Sequence, residues 1–156
     1  MRLNYDRTKA FIIAREGNEF HTSDQATSAG GIILATAKAL HLDLDHDGDV
    51  DVDDLKLVTE QDIDRVFRDY FWDAIHADDL PGGIDLIAAD IAWNAGPGKF
   101  RQFASEGYAI TAETLTARRK VFYEAVVKAK PSKKKFLNGW FNRANLAYTE
   151  SKRCEL

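Results

Sequence analysis

Residues 43 to 54 read Asp-Leu-Asp-His-Asp-Gly-Asp-Val-Asp-Val-Asp-Asp, seven carboxylates whose alternation could hold a hard cation. Asp43, Asp45 and Asp47 fall at positions 1, 3 and 5 of an EF-hand loop, and Gly48 at position 6, where the backbone must turn sharply. Asp49 supplies a carbonyl at position 7, Val50 is the apolar anchor at 8, Asp51 stands at 9 and Asp54 at 12. Calcium takes six to eight oxygens, so Ca2+ is the expected ion. Asp54 is one methylene shorter than the bidentate Glu usual at the last position. The chain contains no second Asp-x-Asp-x-Asp-Gly and no internal repeat, which suits a structural clip rather than a paired sensor. His41 and His46 flank the run, but imidazole is a poor calcium ligand.

Glu16 is the second group with chemical potential. It closes an apolar stretch beside Gly17 and precedes a polar segment containing Glu19, His21 and Asp24. A carboxylate at a helix C-terminus feels the negative end of the macrodipole, and a partly apolar setting adds desolvation; both disfavour ionisation. A carboxyl kept protonated can deliver its proton to the leaving oxygen of a glycosidic bond. Asp24, eight residues on in a polar loop, would stay ionised. Two carboxyls in divergent environments make an acid and base pair. Trp72, Trp93 and Trp140 could stack on sugar rings or fill the core, and Asn94 could hydrogen-bond an N-acetyl group. There is no His-Glu-x-x-His and only one Cys, so no zinc-enzyme pattern.

These groups need a helical scaffold. A first helix is expected from about Tyr5 to Glu16, with Phe11, Ile12 and Ala14 inward and Gly17 as its stop. Residues 17 to 29 are polar and read as an irregular loop or short hairpin. Gly30-Gly31 should open an apolar helix through Leu40, delivering the chain into the calcium loop. Thr59 with Asp62 forms a capping box for a helix whose stripe is Ile63, Val66, Phe67, Tyr70 and Phe71. Pro81-Gly82-Gly83 breaks the chain before a helix carrying Ile84, Ile87 and Ile91, which Gly96-Pro97-Gly98 ends. A long helix is expected over Thr111 to Ala129 with Leu115, Phe122 and Val126 inward. A last one starts at Pro131-Ser132 and carries Phe136, Trp140 and Ala144. The expected fold is mainly α, in a single domain over 1–156.

At 156 residues, with 45% hydrophobic and 29% charged residues, the chain has the composition of an ordinary globular domain. No apolar run reaches membrane-spanning length. The N-terminal Met-Arg-Leu-Asn-Tyr-Asp-Arg-Thr-Lys has no apolar core, so a Sec signal peptide is not expected. Cys154 reads as a frayed tail thiol. Within the net charge of −4, residues 41 to 60 hold eight acids and one Lys, leaving the remainder basic. That excess concentrates in Arg118, Arg119, Lys120, Lys128, Lys130, Lys133, Lys134, Lys135 and Arg143. It reads either as a solvated helix face or as a surface for an anionic polymer. No nucleic-acid-binding motif accompanies it, so nucleic acid is not an expected partner.

Phe11-Ile12-Ile13-Ala14-Arg15-Glu16-Gly17-Asn18, then Asp24, then Gly31-Ile32, resembles the opening of glycoside hydrolase family 108, phage-type endolysins that act as N-acetylmuramidases. That family's signature is Glu-Gly-Gly at the end of helix one, a later Asp, then Thr and Gly-Ile-Thr. The likeness continues through Leu57-Val58-Thr59-Glu60 and Tyr70-Phe71-Trp72-Asp73. It extends to Asp90-Ile91-Ala92-Trp93-Asn94-Ala95-Gly96-Pro97-Gly98 and to Gly139-Trp140-Phe141-Asn142-Arg143. Residues 83–150 resemble the family's C-terminal peptidoglycan-binding region. Asn18 replaces the second Gly, the Glu-to-Asp interval is one residue shorter, and Gly-Ile-Thr has become Gly31-Ile32-Ile33.

The resemblance implies a lysozyme-like helical domain with an irregular or short-hairpin active-site loop and one inserted EF-hand-like loop. It implies cleavage of the β-1,4 bond between N-acetylmuramic acid and N-acetylglucosamine. Glu16 would be the acid, Asp24 its partner, with Thr27, or Ser28 beside it, assisting. Trp93 and Asn94 would contact substrate, and Asp43, Asp45, Asp47, Asp49 and Asp54 would hold Ca2+. A lytic transglycosylase on the same bond and a non-catalytic, calcium-dependent wall-binding module are the rival readings. The expected setting is a bacteriophage enzyme, monomeric and not inserted in membrane, made in the host cytoplasm and reaching peptidoglycan after a separate pore opens.

Overall fold

The computed structural model describes the backbone of residues 2–16, 20–23 and 26–154, with side chains for 4–16 and 28–154. The chain divides into two compact units, one formed by Lys9–Arg68, the other by Met1–Thr8 with Asp69–Leu156. Helix α1, Arg2–Glu16, begins in the second of these and ends in the first.

In the Lys9–Arg68 unit, the polar stretch after α1 forms the hairpin that was one of its two expected forms. Strand β1, Phe20–Ser23, pairs antiparallel with β2, Ala26–Ala29, in the register Phe20 to Ala29 and Ser23 to Ala26. A third strand, β3, Ile32–Ile33, then pairs with Ala29 and Ser28. The expected helix from Gly30 therefore starts later, as α2, Leu34–Ala39. Gly30 and Gly31 both take positive φ (53° and 84°), which returns the chain on itself and lets the two β-branched isoleucines pair as a strand. Gly30 is fixed by space as well, since a Cβ there would strike the Ile63 side chain.

A short helix not expected from the sequence, α3, Val52–Leu57, begins inside the acidic run. Asp51 is its N-cap, accepting from the Asp53 N–H, and Asp54 reaches back to the Asp51 N–H at 2.8 Å. Helix α4, Glu60–Val66, starts at the foreseen box: Thr59 Oγ1 accepts from the Asp62 N–H, and Asp62 accepts from the Thr59 N–H at 2.9 Å. Ile12, Ile32, Leu55, Ile63, Val66 and Phe67 form this unit's core. On α1, Ala14 lies exposed rather than inward, and Thr8 is fully buried.

The foreseen stripe continues beyond α4 as a wider π-helical turn, Phe67–Trp72, followed by two 3-10 turns, Asp73–Ile75 and Ala77–Asp79. In the second unit, α5, Ile84–Ala95, is buried along nearly its whole length and packs against α6, Pro97–Ser105, α7, Ala112–Ala129, and α8, Leu137–Ser151. A helix with apolar residues on nearly every face belongs inside a bundle. Gly96-Pro97-Gly98 ends α5 as expected, but Pro97 also opens α6 as its first residue, a helix not expected from the sequence. Trp72 is 1% exposed, meets Tyr5 edge-on at 5.1 Å, and donates from Nε1 to Asp78 at 3.1 Å. Cys154 is buried, not frayed, its Sγ lying 3.6 Å from the Glu150 carbonyl. The fold is mainly helical with one small sheet, as expected.

Candidate active site and cation loop

Glu16 is the last residue of α1 and is half-buried. Arg15 beside it folds back, Nη1 donating to the Phe11 carbonyl at 2.5 Å with the guanidinium 3.5 Å from the Phe11 ring centre. A cation there complements the negative end of the helix. A cleft of about 420 Å³ lies along α1 ahead of Arg15 and Glu16, lined by Lys9, Ile13 and Ala14 and, from α4, Glu60, Ile63 and Asp64. Lys9 and Asp64 pair within it at 2.7 Å. Asp24 and Glu19 lie outside the described residues. Of Thr27 and His21 only the backbone is described: Thr27 pairs with Thr22, and His21 with Ser28.

Trp93 and Asn94 belong to the other unit. Trp93 is 9% exposed and tilts against Phe71 at 4.6 Å, so its ring contributes to the core. Asn94 is exposed, yet its Nδ2 donates to the Asp90 carbonyl at 2.7 Å. Trp140 is half-buried between Tyr123 and Phe136 at 5.0 and 5.9 Å.

The acidic run is built as a cation loop would be. Gly48 takes a φ of 100°, and its N–H donates to Asp43 Oδ2 at 3.2 Å, closing the turn. The Asp47 and Asp49 N–H groups donate to the carboxylates two residues before them at 3.2 and 3.1 Å. Two sets of oxygens result, Asp43 with Asp45 and Asp47, and Asp49 with Asp51 and Asp54, each within 4.8 Å. Asp43 Oδ1 is enclosed, and no donor reaches it among the described residues. A buried carboxylate oxygen without a donor is costly unless a cation meets it. Desolvation, then repulsion from Asp47, Asp54 and Asp43, pushes the Asp45 carboxyl up. Asp47 foremost, with desolvation and Asp51, does the same to Asp49. Asp54 behaves oppositely: the Asp51 N–H, with those of Leu44 and Asp45, holds it below the usual carboxylate range. These residues fit a hard, oxygen-seeking ion, with Asp54 also fastening the loop to α3.

The expected basic face is narrower than its composition suggested. Arg119 is buried against Asp90 at 2.6 Å, and Arg143 reaches the same carboxylate at 2.9 Å. Neither is available to an external anion.

A family model described as Glycosyl hydrolase 108 matches residues 9–96. No curated protein matches the chain. A solved structure, described as the structure of Brucella abortus SagA, is 18% identical, covers 99% of this chain and 97% of its own, and superposes with a TM-score of 0.78. At that identity the likeness speaks for the fold.

Proposed function

The chain belongs to the glycosyl hydrolase 108 family and is a glycoside hydrolase of muramidase type, and from that premise we propose that it cleaves peptidoglycan with Glu16 as general acid. The observation that carries this reading is the position of Glu16, half-buried as the last residue of α1, within the matched stretch. Glu16 protonates the glycosidic oxygen between N-acetylmuramic acid and N-acetylglucosamine as the bond breaks. Asp24 orients water or stabilises the oxocarbenium-like transition state, with Thr27 or Ser28 assisting. Exposed Asn94 is the group of α5 available to an N-acetyl substituent.

Ca2+ belongs to the same proposal. Asp43, Asp45, Asp47, the Asp49 carbonyl and Asp54 would hold it, and the ion would relieve the repulsion within the loop while joining α2 to α3. Its part is structural, and the glycosidic step does not pass through it.

No helix among the described residues is long and apolar enough to cross a membrane. Action at the cell wall after release by a separate pore, by a monomeric phage enzyme, completes the proposed setting. Incubating the purified chain with purified sacculi and weighing the released muropeptides tests it. Reducing-end muramic acid supports the muramidase; a product lighter by one water, the 1,6-anhydro form, identifies a lytic transglycosylase; binding without release identifies a wall-binding module.

A further inference from the structure

We propose that the corner where α7 turns into α8 docks on an anionic phospholipid surface, a contact separate from the glycosidic site and independent of the reaction proposed above. Between Glu124 and Glu150 the chain has no acidic residue, and Lys128, Lys130, Lys133, Lys134 and Lys135 crowd into this stretch. The last three lie on a 3-10 helix, Pro131–Phe136, which joins α7 to α8 and packs against both. With three residues per turn, consecutive lysines point about 120° apart, so they crown the corner instead of lining one track. Lys128, Lys130, Lys134 and Lys135 are exposed and meet no carboxylate among the described residues. Elsewhere Arg7, Lys9, Lys56, Arg65 and Arg153 are each paired with an acid. A face that only needed solvation would mix both signs. This one carries a single sign, on a chain whose net charge is −4.

The surroundings of the lysines decide the partner. Four to eight lysines grouped on a short helical element suit the phosphates of anionic lipids, each adding attraction within a Debye length of the surface. Phe136, half-buried, has the Lys133 and Lys135 ammonium groups 5.4 and 5.1 Å from its ring centre. Leu137, half-buried, follows it at the start of α8. Lysines beside an apolar ring are the combination that sits at the boundary between headgroups and acyl chains. Single-stranded nucleic acid would instead need open ring faces for its bases, and Phe136 already stacks on Trp140 at 5.9 Å. A crown at a corner meets a plane with several lysines at once, but touches a polymer strand with few. No helix among the described residues can cross a membrane, so the contact is peripheral.

The test is cosedimentation of the whole chain with vesicles of phosphatidylglycerol mixed into phosphatidylcholine, against vesicles of phosphatidylcholine alone. Binding is expected only where phosphatidylglycerol is present, and about 0.5 M salt should release it. Each lysine near such a surface is worth roughly fivefold in affinity, so Lys134→Gln with Lys135→Gln should weaken binding by about tenfold or more. A charge-matched control, Lys56→Gln with Arg65→Gln, alters two exposed cations of the other unit and should change binding by less than about twofold. Melting curves confirm that both variants are folded. Equal binding to both vesicle types, binding that salt does not release, or an unchanged affinity in the folded Lys134→Gln, Lys135→Gln chain overturns the proposal. So does an equal loss in the control, which would make the attraction one of overall charge. Tighter capture of DNA or of purified sacculi through the same two lysines also overturns it. Muropeptide release is read separately, so vesicle binding by a chain that releases none would sink the muramidase and leave the lipid contact standing.

Discussion

Asp90 on α5 and Arg119 on α7 pair at 2.6 Å where their side chains are 0% and 2% exposed. Arg143 on α8 adds two contacts, Nε at 3.0 Å and Nη2 at 2.9 Å, so one carboxylate joins three helices. Burial alone would push this carboxyl up, but Arg119 and then Arg143 outweigh it and hold it below the ordinary range. The Asp90 carbonyl also receives the Asn94 amide, coupling the network to the exposed end of α5.

Asp90→Asn removes the carboxylate that both guanidiniums meet. A buried pair broken from one side costs about 3–5 kcal/mol, because the remaining charge stays desolvated. Urea unfolding measures that loss. The depressed carboxyl also fixes a pH dependence. Its stabilisation is complete above the unfolded range, about pH 4, and is lost as pH falls through its lower folded value. The variant's stability should therefore fall less between pH 4 and pH 2 than that of the parent chain.

For the cation loop, chelator should lower the melting temperature and calcium should restore it. An ion that binds only the folded chain adds about 2.7 kcal/mol at a hundred times its dissociation constant, several degrees for a domain of this size. Asp43→Ala with Asp47→Ala should mimic the chelator and ignore added calcium. Asp45 and Asp49, both pushed up, contribute stability that is lost as pH rises through their folded values. Mild acid should therefore return part of what chelation removes. A melting curve unmoved by chelator, on protein shown to be metal-free, would reduce the loop to a solvated connection.

Gly82 is held by lack of space. A Cβ there would lie 2.7 Å from the Cys154 carbonyl oxygen and 3.2 Å from Asn4 Nδ2. The first neighbour is backbone and cannot swing aside, so Gly82→Ala should destabilise by about 1–3 kcal/mol. The buried Cys154 thiol should react slowly with a thiol reagent in the parent and faster in the variant. Equal labelling rates and equal melting temperatures would contradict this packing.

What could be read in the sequence was local. Thr59 with Asp62, and Thr111 before its long amphipathic run, mark helix starts because a cap is satisfied within one turn. The misses have physical causes. An unbroken acidic run conceals α3, although Asp51 and Asp54 carry its capping box. Pro97 between two glycines looks like a stop, while Pro at a first helical position is equally a start. The burial of Arg119 depends on a partner 29 residues away, which neither periodicity nor composition reveals. On the candidate site, Glu16 stands at the helix end where it was expected, whereas Asp24 lies outside the described residues.

Asp24→Asn should impair turnover on sacculi with little change in melting temperature, because the substitution removes the charge and keeps the shape. Should Asp24→Asn prove fully active while Glu19→Gln is dead, the second carboxylate is Glu19.

The most direct measurement is muropeptide release from purified sacculi by the parent chain and by Glu16→Gln, with both shown to be folded by their melting curves. Gln keeps the shape of Glu but has no proton to give, so release by the variant should fall by about a hundredfold or more. Parent-level release by a folded Glu16→Gln protein would contradict Glu16 as the acid, and no release by the parent would contradict peptidoglycan cleavage itself.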